Sequence, residues 1–320
     1  MLAVVQQAAD CVLSLFLIGL VGYVLDKKGW FSPDTKALLP RLVTMVTLPF
    51  YMFSNIIRTF SHDQLAQLVY GVIIPASSIL LTFGLSILVA KITKVRRERL
   101  GLFTVSSAAS NTIFIGLPVN VALFGEAALP YVLLYFFANT TFFWTIGNYC
   151  LSLDGDRQPE KIWSKNNLKR IFSPPLIGFI LGVLAVVLEI IPPRFFMSAA
   201  GYVGSLTMPL AIIFIGITIA SVKLRSLAPD LDTWLLLAFR FLISPLVIIG
   251  LIQLIEIPPL MAKVFVIQSS LPVISSAVLL AGYYRSDATY ASVIVTLSTL
   301  MSLLTIPMFM IILTLLFPGS

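Results

Sequence analysis

The chain has 320 residues, of which 58% are hydrophobic and only 11% charged, with a formal net charge of +7 and a mean hydropathy of +1.00. A water-soluble domain does not carry that much apolar residue against so little charge, so the composition excludes a soluble enzyme and points to a polytopic membrane protein. The net positive charge then reads as a topology signal, and no nucleic-acid partner is needed to explain it.

A spanning helix needs about 20 mostly apolar residues, and the chain supplies such runs one after another. The first, Ala3 to Leu25, contains Asp10; it is preceded by no basic flank, so it reads as an uncleaved first helix and not as a secretory signal. The second, Leu42 to Ile57, has only 16 uncharged residues between Arg41 and Arg58 and is expected to extend past those charges. Gln64 to Ala90, Leu100 to Gly125 and Ala127 to Leu153 follow. The longest polar stretch, Asp154 to Arg170, then reads as a hinge between two halves. After it come Ile171 to Leu188, Phe195 to Val222, Thr233 to Ile255 with Arg240 inside it, Val264 to Tyr284, and Ala288 to Ser320. The total is ten, an all-α membrane fold.

Lys and Arg are unevenly shared between the two sides of these spans. With the N-terminus outside, the connections around Lys27 to Arg41, Lys91 to Arg99, Arg157 to Arg170, Lys223 to Arg225, and Arg285 hold 17 of the 21 basic residues, against Arg58, Arg194 and Lys263 on the other side. The bias places the rich side in the cytoplasm and both termini outside, in a cell inner membrane. Cys11 and Cys150 have apolar surroundings and no partner spacing, so they read as packing residues.

Helix breakers recur at a near-constant offset, the form that internal repeats take in transporters. Leu17-Ile18-Gly19 recurs as Leu176-Ile177-Gly178, Pro49 as Pro209, Pro75 as Pro245, and Leu117-Pro118-Val119 as Leu271-Pro272-Val273. With five spans per half, the second half enters from the opposite side. The reading is two inverted repeats, 1–153 and 171–320, joined by a cytoplasmic loop, 154–170.

Spans four and nine carry polar residues at their centres, where an unpaired polar group in hydrocarbon costs several kcal/mol. Span four has Ser106, Ser107, Ser110, Asn111, Thr112, Gly116, Pro118 and Asn120; span nine has Gln268, Ser269, Ser270, Pro272, Ser275 and Ser276. Pro118 and Pro272 cannot donate to the carbonyls of Phe114 and Gln268, so each helix is expected to be interrupted there. A broken helix offers a positive N-terminal pole to an anion and C-terminal carbonyls to a cation, and two facing breaks make a site at the membrane midplane.

The stretches Ser110-Asn111-Thr112-Ile113-Phe114-Ile115-Gly116-Leu117-Pro118, Leu271-Pro272 through Ala281-Gly282-Tyr283-Tyr284 to Ala291-Ser292, and Thr305-Ile306-Pro307 resemble the auxin efflux carrier family, which includes plant PIN carriers and bacterial malate and malonate permeases. The resemblance covers most of the chain. It implies inverted five-helix repeats with helices four and nine crossing at prolines, similar to bile-acid sodium symporters. It also implies a stable domain of spans 1, 2, 6 and 7 against which spans 3–5 and 8–10 move like an elevator, in a homodimer. The implied substrates are small organic anions such as auxin, malate or malonate. Carried onto this chain, it puts Asn111, Pro118 and Pro272 at the crossover, with Gln268 and Ser270 beside it and Asn139 near a substrate-contacting amide.

Ser54 and Asn55, after Pro49, are either further contacts or helix-end caps. Arg240 sits about 10 Å deep at 1.5 Å per residue, where it meets an anion, snorkels to the surface or bonds a carbonyl exposed at a break. The cores of spans 3, 4, 5, 9 and 10 contain no acidic residue, which argues against a carboxylate proton relay; sodium coupling, other proton coupling and uniport stay open. His62, the one histidine, lies beside Asp63 in an outer loop, and the chain has no metal, phosphate-loop or paired-carboxylate motif. No enzymatic activity and no cofactor are expected.

Overall fold

The computed structural model describes residues 2–59, 69–156, 161–162, 164–221 and 229–316, and over these the chain is helical. Ser61, His62, Asp63 and the side chains of Asp10 and Cys11 lie outside the described residues. The helices are α1 (Leu2–Lys27), α2 (Pro33–Thr59), α3 (Ile73–Thr93), α4 (Leu100–Ala108), α5 (Thr112–Phe124), α6 (Glu126–Leu153), α7 (Lys165–Ile171), α8 (Pro174–Val187), α9 (Arg194–Ala220), α10 (Leu231–Ile252), α11 (Pro259–Ser269), α12 (Ser276–Tyr284) and α13 (Ala288–Leu316). Among the described residues, α2, α3, α6, α9, α10 and α13 are long and apolar enough to cross a membrane, and α7 with α8, bent by 58°, makes a seventh candidate.

Local chemistry sets the ends. Ser32, Ser164 and Asp230 each accept a hydrogen bond from the backbone N–H three residues on, capping α2, α7 and α10, and Pro33 sits at the first helical position, where its missing N–H costs nothing. This start carries α2 well past Arg41, so the second span is longer than its uncharged stretch. At the other end Arg58 donates to the carbonyl of Met197 at 3.3 Å.

The prolines widen helices as well as end them. Of the four π-helical segments among the described residues, Val43–Thr47, Thr112–Gly116 and Phe239–Ile243 each finish two residues before a proline, Pro49, Pro118 and Pro245, while Phe143–Gly147 does not. A proline inside a helix has no N–H to donate and its ring pushes on the carbonyl four residues earlier, so the preceding turn relaxes to wider hydrogen bonds instead of breaking.

Packing is inside-out relative to a soluble protein. On α3 the buried face carries Ser78, Thr82 and Ser86, one turn apart, beside Ile74, Ile79 and Ala90, while Leu81, Leu85 and Leu88 are exposed. Such a helix is at home only with hydrocarbon outside and small side chains against its neighbours. Two groups of contacts stand out. Helix α1 packs on α9 and α2 packs on α8, whereas α3 lies against α4, α6 and α10, α11 against α6 and α10, and α12 against α13. Helix α7 is tied to α6 by Asn167 Oδ1, which accepts from Asn148 Nδ2 at 2.8 Å, and Tyr284 at the end of α12 donates to Asn148 Oδ1 at 2.9 Å. The stretch read as a simple hinge therefore ends in a docked helix.

Asp154, just past α6, caps α4: its two oxygens accept from the N–H groups of Gly101 and Leu102, both at 2.7 Å. Burial pushes this carboxyl up to about 6, and the two N–H bonds pull it back only in part. A carboxyl raised in the folded state holds its proton there longer than in the unfolded chain, so between about pH 4 and pH 6 the folded protein loses stability as pH rises. Melting temperature of the detergent-solubilised protein is expected to fall across that window and to fall less in Asp154→Asn.

A candidate solute site where two helices break

The expected fourth span is two helices, α4 and α5, and the expected ninth is also two, α11 and α12. At the first break Ala109 is extended, with φ −86° and ψ 129°, and Asn111 has left helical geometry, with φ −81° and ψ 71°. The two breaks meet. Ser110 and Val273 form an isolated antiparallel bridge, and the N–H of Asn111 donates to the carbonyl of Pro272 at 2.9 Å.

Proline acts differently in the two. Pro272 lies in its break, but the first break falls at residues 109–111, upstream of Pro118, which sits in the first turns of the second helical segment behind the π segment. The turn before it has already widened to the π form, so Pro118 does not interrupt its helix. What holds the first break open is side-chain chemistry. Asn139 of α6 accepts from the N–H of Ser110 at 2.9 Å and donates to its carbonyl at 3.0 Å, acting as a stand-in strand. Ser298 of α13 likewise accepts from the N–H of Val273 at 3.1 Å. Asn111 links the two breaks: its Oδ1 accepts from Phe114 N at 3.3 Å and its Nδ2 donates to Ser275 Oγ, just before α12, at 3.0 Å.

Arg240 reaches this crossing from α10 and is fully buried. Its guanidinium donates to the carbonyl of Ser107 at 3.2 Å, to the carbonyl of Ser269, and to the hydroxyls of Ser244 and Ser110 at 3.2 and 3.4 Å. Of the three environments open to it from sequence, the structure shows carbonyls exposed at a break. Gln268 is fully buried with neither amide atom hydrogen-bonded. It presses on α5 so closely that a Cβ on Gly116 would fall 2.5 Å from Gln268 Oε1.

Beside the crossing an apolar cavity of about 520 Å³ runs between α1, α9, α5 and α13, with Gly19, Gly216, Ile115, Pro118, Ser302 and Pro307 in its walls. Pro118 is the one predicted site residue that lines it; Asn111, Thr112, Gln268, Ser270 and Pro272 do not. Ser275 and Ser276, at the start of α12, are partly exposed in an otherwise buried crossing.

A family model described as "Membrane transport protein" matches residues 8–310. The chain belongs to the membrane transport protein family, the auxin efflux carriers. It is similar to an uncharacterized transporter of Methanothermobacter thermautotrophicus, 28% identical over 311 residues covering 96% of this chain and 98% of the relative. It is also similar to an uncharacterized transporter of Methanocaldococcus jannaschii, 27% identical over 304 residues covering 93% and 96%.

In this transporter the other residues singled out from sequence are mostly occupied locally. Ser270 Oγ donates to the Ile267 carbonyl at 2.9 Å, Ser54 Oγ and Asn55 Nδ2 donate to the Tyr51 carbonyl at 3.3 and 3.1 Å, and the N–H of Thr112 donates to the Ser110 carbonyl at 3.0 Å. Hydroxyls commonly close on their own helix in this way. Ser298 and Ser244 were not foreseen: a lone hydroxyl in an apolar span carries no mark of the distant N–H or guanidinium it serves. Also unforeseen is Tyr51 of α2, whose hydroxyl donates to the Glu126 carboxylate at 2.9 Å. That bond joins α2 to the start of α6.

Proposed function

We propose that this transporter moves small organic anions, with the solute held at the crossed breaks, by an elevator-type alternation between two faces of a cell membrane. The meeting of two interrupted helices carries the reading. α5 and α12 both begin at the crossing, and each N-terminal pole is equivalent to about half a positive charge. Together they offset about one carboxylate, with the Asn111 and Gln268 amides and Ser275 beside them as polar contacts. The apolar cavity alongside suits a substrate whose body is not charged, which favours an auxin-like monocarboxylate over malate or malonate.

The contact pattern supports the moving parts. Helices α1, α2, α8 and α9 form the group against which the helices bearing the breaks would slide, and the cavity between them is lined by side chains with few polar bonds to part. The repeated prolines support two inverted halves on either side of the 154–170 loop, and the Lys and Arg bias supports termini on the outer side.

Purified protein in liposomes tests this. Labelled indole-acetate, malonate and malate are offered in turn, and protein-dependent uptake of at least one of them is the expected result. Binding with no flux for any of the three would assign a sensing role instead.

A further inference from the structure

The apolar cavity beside the crossing is open on one side. Leu13, Phe16, Leu20 and Tyr23 of α1 and Leu303 of α13 line it and are all exposed, so with these helices in a bilayer its mouth faces hydrocarbon. The opposite wall reaches Ile115 and Pro118 of α5. Leu13 and Tyr23 lie about 15 Å apart along α1 at 1.5 Å per residue, which is half of a hydrocarbon core about 30 Å thick. The groove therefore has the length of one leaflet. Its Tyr23 end carries positive charge: Lys27 Nζ stands 5.6 Å from the centre of the Tyr23 ring, and Lys28 follows it, both exposed. Lys36 is taken by Asp26 at 2.6 Å, whereas Lys27 and Lys28 have no carboxylate partner among the described residues. Trp30, exposed just beyond them, fits the headgroup depth at which aromatic side chains gather.

We propose that this groove binds one anionic phospholipid of the cytoplasmic leaflet, with an acyl chain lying in the cavity and the phosphate at Lys27 and Lys28. Each part of such a lipid has its counterpart: a groove one leaflet long, apolar walls, and a cationic end on the side where the Lys and Arg bias places the cytoplasm. A chain entering from the bilayer gives up no apolar surroundings, since lipid tails are as apolar as leucine, and it supplies the contacts that the walls of an empty cavity lack. A free anion would be held by the lysines alone and a neutral lipid by the groove alone; an anionic amphiphile uses both. The site lies between α1 and α9 on one side and α5 and α13 on the other, so the chain forms a deformable layer in the seam along which the two groups of helices would slide. A solute at the crossing would claim at most the end of the cavity beside Pro118, and the lipid site does not depend on which solute that is.

The test uses the intact protein in phosphatidylcholine vesicles with a trace of phosphatidylglycerol that carries a photoactivatable diazirine near the end of one acyl chain. After illumination, mass spectrometry of the digested protein is expected to find the label concentrated on the cavity walls, residues 13–20 of α1 and 299–307 of α13. Unlabelled phosphatidylglycerol is expected to compete it away, and further phosphatidylcholine is not. Lys27→Gln combined with Lys28→Gln is expected to lower the labelling at least about fivefold, the attraction of one lysine to an anionic surface being worth roughly that factor. Gly19→Leu, whose Cβ would meet only Ile212, at 3.8 Å, puts a side chain into the cavity and is expected to expel the chain without lowering the melting temperature. Label spread evenly over the exposed leucines of α3, equal competition by phosphatidylcholine, or wild-type labelling in either variant overturns the inference. So does labelling of neither segment, which would give the groove to a second copy of the chain or to the solute. Because the labelling and competition arms use wild-type protein, the test stands even if a variant does not fold.

Discussion

Asn139→Leu is expected to destabilise the protein by about 1–3 kcal/mol, because it strands the Ser110 N–H in a site that water does not reach, while the Ser110 carbonyl keeps its bond from the Thr112 N–H. Interhelical side-chain hydrogen bonds in membranes average only about 0.6 kcal/mol, since a lost partner is usually replaced. The Ser110 N–H has no such escape: the residue is fully buried between two helix ends, and Asn139 Oδ1 is the acceptor that reaches it. Asn139→Asp keeps the acceptor for the Ser110 N–H and loses the donor, so its effect should fall between wild type and leucine. Thermal unfolding in detergent gives the order. Equal melting temperatures for all three proteins would mean that Ser110 finds other partners.

The second large effect is expected at Gly216. A Cβ there would lie 1.8 Å from the carbonyl oxygen of Gly19, and one on Gly22 would lie 2.2 Å from the carbonyl of Ile213. These obstacles are backbone, which cannot swing aside, so α1 and α9 have to separate along the seam that joins them. Gly216→Val is expected to cost about 3 kcal/mol or more, at the upper end of overpacking penalties. The same seam borders the apolar cavity, so flux should fall with stability. Gly250, whose added Cβ would meet nothing within 4 Å, is the control: Gly250→Ala should leave both unchanged. A Gly216→Val protein as stable as wild type would contradict the close contact of the two helices.

How much of this was legible in the sequence depends on the kind of signal. Uncharged length announced the long apolar helices, and buried polar residues marked where the chain breaks, because hydrocarbon penalises both charges and orphaned polar groups. Proline announced its own location but not its effect. The same residue type lies in the second break at Pro272 but widens a helix without breaking it at Pro49, Pro118 and Pro245. The first break was mislocated for that reason. The two amides Asn111 and Gln268 were legible as unusual in such a span. Which of them is bonded, Asn111 to Phe114 and Ser275, and which is not, Gln268, depends on distant helices. For Arg240 the carbonyl partner was among the readings of its depth, while Ser107 and Ser269 as the partners were not, since they come from helices that meet only in three dimensions.

The most direct measurement is flux through Asn111→Ala in liposomes. Asn111 joins the breaks by one side-chain bond to Ser275 and caps α5 through the Phe114 N–H, so its loss should cost about 1–2 kcal/mol of stability. If anions bind between the N-terminal poles of α5 and α12, uptake should nonetheless collapse, while melting temperature and dispersity stay near those of wild type. Uptake with unchanged kinetics would contradict the account, leaving the crossing of the two interrupted helices a structural joint with the solute held elsewhere.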